Sequence, residues 1–428
     1  MNVAEWPCRW GTTSLLKQLR PGKRLLIYSH DTFGLGHLRR CQTIAHSLVG
    51  HRADLSVLIL SGSPIIGSFD FRTRVDFIRI PGVIKLRHGE YTSLSLEMDI
   101  EETVALRAGL IKHTAEMFDP DLFIVDKEPL GLRGEVADTL KMLKEKGVPT
   151  VLGLRDVLDE PGVLSEEWER KNALPALPDL YDQIWIYGLK DVCDPLAGVD
   201  LPDVVRNKAI YTGYLRRSWD STVAMPYVSD KFDPHKPYVL VTTGGGGDGA
   251  TLIDWVLRAY EHYKRLDIQA LLVLGPFMQS KLQSVFISRV SRLDAVHAIT
   301  FDSHMEALFE HASGVVAMGG YNTFCEVLSF DKPCVIVPRT VPRLEQFIRA
   351  KRAEELGLSS MLLDDDERRP EDMAHAIEGL EHQAPPSAIH IPGLLDGLST
   401  INAVVDRWAS ESPTEVSAPG VAELSVIG

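Results

Sequence analysis

The chain has 428 residues, 45% of them hydrophobic and 24% charged, which is ordinary globular stock with length enough for two domains and two cores. A formal net charge of -14 excludes a general nucleic-acid binder, which needs a positive field to replace condensed counterions, so any anionic ligand must be held by local devices. The five cysteines, Cys8, Cys41, Cys193, Cys325 and Cys334, form no C-x-x-C pair and read as reduced thiols, and no apolar run has the length of a membrane span or a secretory signal, so the expected location is the cytoplasm.

Residues 1–22 read as an N-terminal extension. From residue 23 to 215, strand-like runs alternate with helical patterns: "RLLIYS", "LSVLIL", "VDFIRI", "DLFIVD", "TVLGL", "QIWIYG" and "AIYTG". Residues 216–237 mix prolines with charges and have no period, as a linker does. A second alternating series fills 238–384 with "YVLVTT", "ALLVLG", "HAITF", "GVVAM", "PCVIVP" and "SMLL". A helical segment over 385–410 contains "LSTINAVVDRWA", and the serine-, proline- and glutamate-rich tail 411–428 is expected to be disordered. Alternation of this kind predicts an α/β protein of two Rossmann-like, doubly wound parallel-sheet domains facing a cleft.

Each half opens with a strand, a glycine-rich turn and a helix. In the first, "HDTFGLGHLRR" is not a dinucleotide fingerprint: Arg39 stands where the third glycine belongs, and the second strand ends in "LSGSP" without the acid that would hold a ribose. What remains is G-x-G-H-x-x-R. Gly34 and Gly36 let the backbone approach a ligand, and His37, near a helix N-terminus that disfavours its charged form, is a candidate base. The competing reading is a histidine that caps or packs. Of Arg39 and Arg40, one is expected to face the cleft and at least the other to be solvated.

In the second half, "GVVAMGGYNTFCEVL" ends a strand at Gly319 and Gly320 and starts a helix near Asn322 or Thr323, both suited to N-capping. Backbone N–H groups there suit phosphate oxygens. Glu326, one turn on, suits two vicinal hydroxyls of a ribose, or else reaches back as a capping-box acid. Glu345 and Gln346 begin a later helix and offer partners for sugar hydroxyls. Asp126, Glu128 and Asp156 sit at strand ends facing the cleft, either as alternative bases or as ion-pair partners of Lys127, Arg133 or Arg155. The basic stretch from Phe71 to Gly89 suits an anionic acceptor or an anionic bilayer, at about 1 kcal/mol per basic residue, or is simply a solvated loop around a strand.

These motifs resemble those of the GT-B glycosyltransferases of the MurG type, glycosyltransferase family 28, from about Arg24 to Leu358; "GLGHLRRCQTIAHSL" is also similar to the nucleotide-sugar hydrolase of the pseudaminic acid pathway. The resemblance implies His37 as the base that activates an acceptor, and contacts to a donor diphosphate from the "GGGDGA" loop, with Gly245, Gly246, Gly247 and Gly249, and from Gly320, Asn322 and Thr323. It implies Glu326 on the ribose of a uridine nucleotide, and Glu345 and Gln346 at the donor sugar. Gly34, Gly36, Arg39, Asp126, Glu128 and Asp156 are then acceptor-side candidates, while Asp248 departs from the family by placing an acid where the diphosphate should sit. The expected partners are a nucleotide-diphosphate sugar and an unidentified acceptor, with peripheral membrane contact left open and nucleic acid excluded. No cofactor and no divalent metal are expected. Transfer of a hexose or N-acetylhexosamine, hydrolysis with water in the acceptor position, and nucleotide-sugar binding without catalysis are the readings in competition.

Overall fold

The computed structural model describes residues 22–30, 35–85, 90–263 and 266–410. The extension before residue 22, the tail 411–428 and Gly34 fall outside them. Every apolar run named above as a strand is one. In chain order they are β1 (Lys23–Ser29), β2 (Leu55–Ser61) and β3 (Val75–Arg79), then a hairpin the sequence did not disclose, β4 (Val83–Lys85) and β5 (Tyr91–Ser93). After it come β6 (Leu122–Asp126), β7 (Thr150–Arg155), β8 (Gln183–Tyr187) and β9 (Ala209–Tyr211). The second series is β10 (Tyr238–Thr242), β11 (Gln269–Val273), β12 (Val296–Ile299), β13 (Gly314–Ala317), β14 (Cys334–Ile336) and β15 (Ser360–Met361).

Two parallel sheets result, with strand orders β3-β2-β1-β6-β7-β8-β9 and β12-β11-β10-β13-β14-β15. Both are doubly wound: the chain builds outward on one side of the first strand, then crosses to the other, leaving a crevice at the carboxyl ends of β1 and β6 and of β10 and β13. Helices cover both faces, which is why β6 and β10 are buried along their whole length and read as unbroken apolar runs. Residues 216–237 contain no helix or strand.

The helix Gly36–His51 forms because Leu38, Cys41, Ile44, Ala45, Leu48 and Val49 recur at helical spacing and bury one face. The C-terminal helix Gly397–Ser410 returns to the first domain. Its Ile401, Val404 and Val405 join the same core, Trp408 stacks on Trp185 at 5.9 Å between ring centroids, and Asp406 pairs with Arg52 at 2.9 Å. In the basic stretch, Arg74 is spent on the backbone, donating to the carbonyls of Leu55 and Val49, while residues 86–89 are not among those described. Among the described residues no helix is long and apolar enough to cross a membrane.

Candidate functional site

Both crevices open into one cavity of about 240 Å³ between the domains. The first domain lines it with Gly36, His37, Arg39, Arg40 and Arg155, and the second with the loop Thr242–Asp248, with Gly320–Thr323, and with Glu326, Arg339 and Gln346. Val273, Phe301, Met305 and Met318 are apolar members of its lining.

The loop after β10 is glycine-rich for packing reasons that can be named. Gly246 has φ +85, and a Cβ there would lie 2.3 Å from the Leu274 carbonyl oxygen; a Cβ on Gly249 would lie 2.2 Å from the Thr243 side chain. Gly245, Gly246 and Gly247 line the cavity and Gly249 caps the helix Ala250–His262 behind them. The helix after β13 spans Tyr321–Ser329 with Gly320 as its N-cap and no side chain capping it. This corrects the expectation that Asn322 or Thr323 is the cap: both lie within the first turn. Asn322 instead crosses the cleft, donating from Nδ2 to the Gly36 carbonyl at 3.0 Å and accepting from Arg217 at 2.8 Å. The first turn has no side-chain cap and Gly320–Thr323 line the cavity, an arrangement that suits an anion.

His37 stands in the first turn of its helix with Nδ1 2.5 Å from Asp126 Oδ2. Asp126, 1% exposed, also accepts from Arg40, Nε to Oδ1 at 2.8 Å and Nη2 to Oδ2 at 2.7 Å. Burial alone would raise the Asp126 carboxyl, but Arg40 and His37 outweigh it and hold its pKa at about 2. Burial pushes His37 below the ordinary histidine range, Arg40 and Lys127 add to that, and Asp126 opposes it. Asp126 is thus placed as the partner that orients His37, where the sequence suggested a substitute for it. Nor is either arginine solvated: the Arg40 side chain is 1% exposed and that of Arg39 13%.

Arg39, listed above with the acceptor side, points to the opposite domain, where Nη2 lies 2.5 Å from Glu326 and 2.8 Å from Glu306. Glu326 therefore does not reach back to its own helix start. Burial raises its pKa, with Glu306 adding and Arg39 opposing. Asp248 does not stand against a diphosphate unpaired, because Arg339 Nη1 reaches it at 2.5 Å. Arg339 also donates to Glu345 at 3.1 Å, and Arg155 of the first domain does so at 2.5 Å. Glu345 lies behind these arginines, buried, and they hold its carboxyl well below the usual range against the opposing effect of burial. Gln346 lines the cavity while its Oε1 accepts the Arg339 backbone N–H at 3.0 Å.

Two acceptor-side candidates are engaged elsewhere. Asp156 is fully buried and accepts both Arg349 Nε (2.8 Å) and Nη2 (2.6 Å), joining the two domains. Glu128 pairs with Lys171 at 2.7 Å and Lys127 at 3.4 Å. Neither lines the cavity. Arg339 and Tyr321 are site residues that reading the sequence missed, while Arg40 was weighed only as cleft-facing or solvated and Arg155 only as an ion-pair partner; the one available signal was an arginine at the end of β7 and another just past β14, both positions that face a switch-point crevice. Among the described residues no three histidine, cysteine or carboxylate side chains are grouped as a metal site.

Residues 239–388 match the glycosyltransferase family 28 C-terminal domain. No curated protein sequence matches the chain. Among solved structures, the calicheamicin glycosyltransferase CalG4 superposes with a TM-score of 0.56 at 13% identity, over 92% of this chain and 99% of that one. The Medicago truncatula UGT71G1 complexed with UDP-glucose gives 0.57 at 14% identity, over 90% and 98%. A UDP-glucosyltransferase from Polygonum tinctorium capable of glucosylating indoxyl gives 0.59 at 12%, over 92% and 100%. At such identities the likeness is one of fold, and the domain match lies on the half that carries the glycine loop and Glu326. The chain has the GT-B glycosyltransferase fold, and its residues 239–388 match the glycosyltransferase family 28 C-terminal domain.

Proposed function

We propose that this protein transfers a hexose or N-acetylhexosamine from a UDP-sugar to a hydroxyl acceptor, with His37 as the base. The observation that carries the reading is that a carboxylate-oriented histidine from one domain shares a single cavity with the glycine loop, the uncapped helix start and Glu326 from the other. The apolar side chains of Val273, Phe301 and Met305 suit a planar base, and Glu326 in the same cavity suits the ribose hydroxyls. A diphosphate then spans Gly245–Gly247 and the first turn at Gly320–Thr323, and the sugar lies toward Gln346, with Glu345 behind Arg155 and Arg339. UDP-glucose in the Medicago truncatula structure supports a uridine nucleotide as donor.

In the reaction, His37 Nε2 takes the acceptor proton as the acceptor oxygen bonds to the anomeric carbon. The bond from that carbon to the phosphate oxygen breaks, and its electron pair leaves with UDP. Helix-start and loop N–H groups stabilise the charge gathered on the diphosphate, with Arg339 close by. The test is UDP release from a panel of UDP-sugars, with and without candidate acceptors. Turnover should fall by about 100-fold or more in His37→Gln with UDP affinity little changed, since general bases contribute about 10²–10⁴-fold. Release that needs no acceptor identifies hydrolysis at the same site. Absence of release from every UDP-sugar, or an undiminished rate in His37→Gln, defeats the proposal.

A further inference from the structure

Arg40 is a buried cation that the reaction just described does not use. Besides its two bonds to Asp126, its Nη2 lies 3.0 Å from His37 Nδ1. Its guanidinium stands over two aromatic rings, Tyr187 of the first domain at 5.7 Å and Tyr321 of the second at 5.5 Å. Tyr321 is 3% exposed and follows Gly320 directly at the helix start assigned above to the diphosphate.

Two neighbours compete for one nitrogen of His37. An ionised carboxylate can only accept a hydrogen bond and a guanidinium can only donate. The shorter of the two contacts, 2.5 Å to Asp126 Oδ2, has an acceptor on the far side, so Nδ1 meets it by carrying the proton. Arg40 Nη2 at 3.0 Å then stands beside that N–H while it donates to Asp126. Nε2 is then the bare nitrogen. Protonating it would create an imidazolium 3.0 Å from the Arg40 cation, inside a site that also contains Lys127.

We propose that Arg40 is a positioning residue of the transfer reaction: by clamping Asp126 against His37 it keeps the ring proton on Nδ1 and leaves Nε2 as the proton acceptor, and Tyr321 of the opposite domain keeps Arg40 in that place. The proposal rests on His37 being the base. Its consequence is that the base is completed by both domains, since the ring that supports Arg40 belongs to the donor-binding helix. The charged and titratable groups facing His37 are Asp126 and Lys127 at the end of β6, Arg40 on its own helix, and His30 at the end of β1, whose ring lies 5.8 Å away edge-on. Removing Arg40 takes away a like charge and leaves Asp126 to face His37 alone. Both changes raise the proton affinity of His37.

The full chain labelled with ¹⁵N-histidine reports this without substrate, through long-range ¹H–¹⁵N spectra in which His37 is assigned by the signal missing from His37→Gln. The wild type should show the Nδ1–H tautomer and a titration midpoint below the ordinary histidine value. In Arg40→Met the titration midpoint should rise by about one pH unit or more, the size of a shift caused by one adjacent charge. Tyr321→Leu should move it the same way by less. A role in folding alone would move neither tautomer nor midpoint. An Nε2–H tautomer in the wild type overturns the proposal, as does a midpoint that is the same in the wild type and the variants. Should Arg40→Met not fold, the wild-type tautomer and the Tyr321→Leu titration decide. Failure of His37 as the base is read separately, from UDP release in His37→Gln.

Discussion

Replacing Arg39 by methionine tests how the donor site keeps its acid charged. Arg39 Nη2 lies 2.5 Å from Glu326 and 2.8 Å from Glu306, so one buried cation serves two carboxylates. Burial already raises the Glu326 pKa, and without Arg39 the repulsion from Glu306 is offset only by Arg217 nearby. The Glu326 pKa should then rise further, so that a larger share of Glu326 meets a ribose as a neutral acid. Hydrogen bonds to charged groups are worth about 1.5–3 kcal/mol and those between neutral groups about 0.5–1.5, so the loss is about 1.4 kcal/mol, or tenfold in UDP affinity. Calorimetry with UDP at pH 6, 7, 8 and 9 reads it. The wild type should vary little, Arg39→Met should bind about tenfold more weakly at pH 7 and recover as pH rises and Glu326 ionises, and Glu326→Gln should stay weak throughout. Adding Glu306→Gln to Arg39→Met removes the repulsion and should restore part of the affinity at pH 7. If Arg39→Met binds UDP more tightly than the wild type, Arg39 competes with the ribose for Glu326 and the reasoning is wrong.

Turnover in excess EDTA should stay within a factor of a few of the untreated rate, because backbone N–H groups and Arg339 are available to the diphosphate; a rate that vanishes and returns with magnesium or manganese refutes this. Asp156→Ala strands the buried Arg349, 1% exposed, and should cost about 3–5 kcal/mol in urea unfolding, as breaking a buried pair does. Stability should also fall as pH drops from about 6.5 toward 4. The reason is that burial, aided by Arg72, holds His46 at a pKa of about 4, so below 6.5 the unfolded chain takes up a proton that the folded chain refuses. His46→Asn should flatten that slope, and an unchanged slope of urea midpoint against pH assigns the loss to other groups.

What the sequence disclosed and what it concealed divide along one physical line. Strand alternation is a local pattern, and so is a glycine that a tight turn requires; both sheets and the glycine loop after β10 were therefore readable, and among the described strands only the short hairpin β4–β5, three residues a side, escaped. Side-chain roles depended on partners far along the chain. Asp248 read as an acid that would repel a phosphate because Arg339, 91 residues away, could not be seen beside it. Glu345 read as a sugar ligand and Asp156 as a base because Arg155 and Arg349 approach them from 190 and 193 residues away. Asn322 has the chemistry of a cap, but Gly320 already supplies the extended backbone that a cap position needs, which frees the amide to bridge the domains. Composition gave the cleft many carboxylates, and the fold gave Asp248, Glu345 and Asp156 an arginine each. The same strand end that made Asp126 a candidate base is what brings it to His37. Once Arg40 holds its pKa at about 2, Asp126 is too weak a base to take an acceptor proton at neutral pH, and orienting the histidine is the role its chemistry leaves.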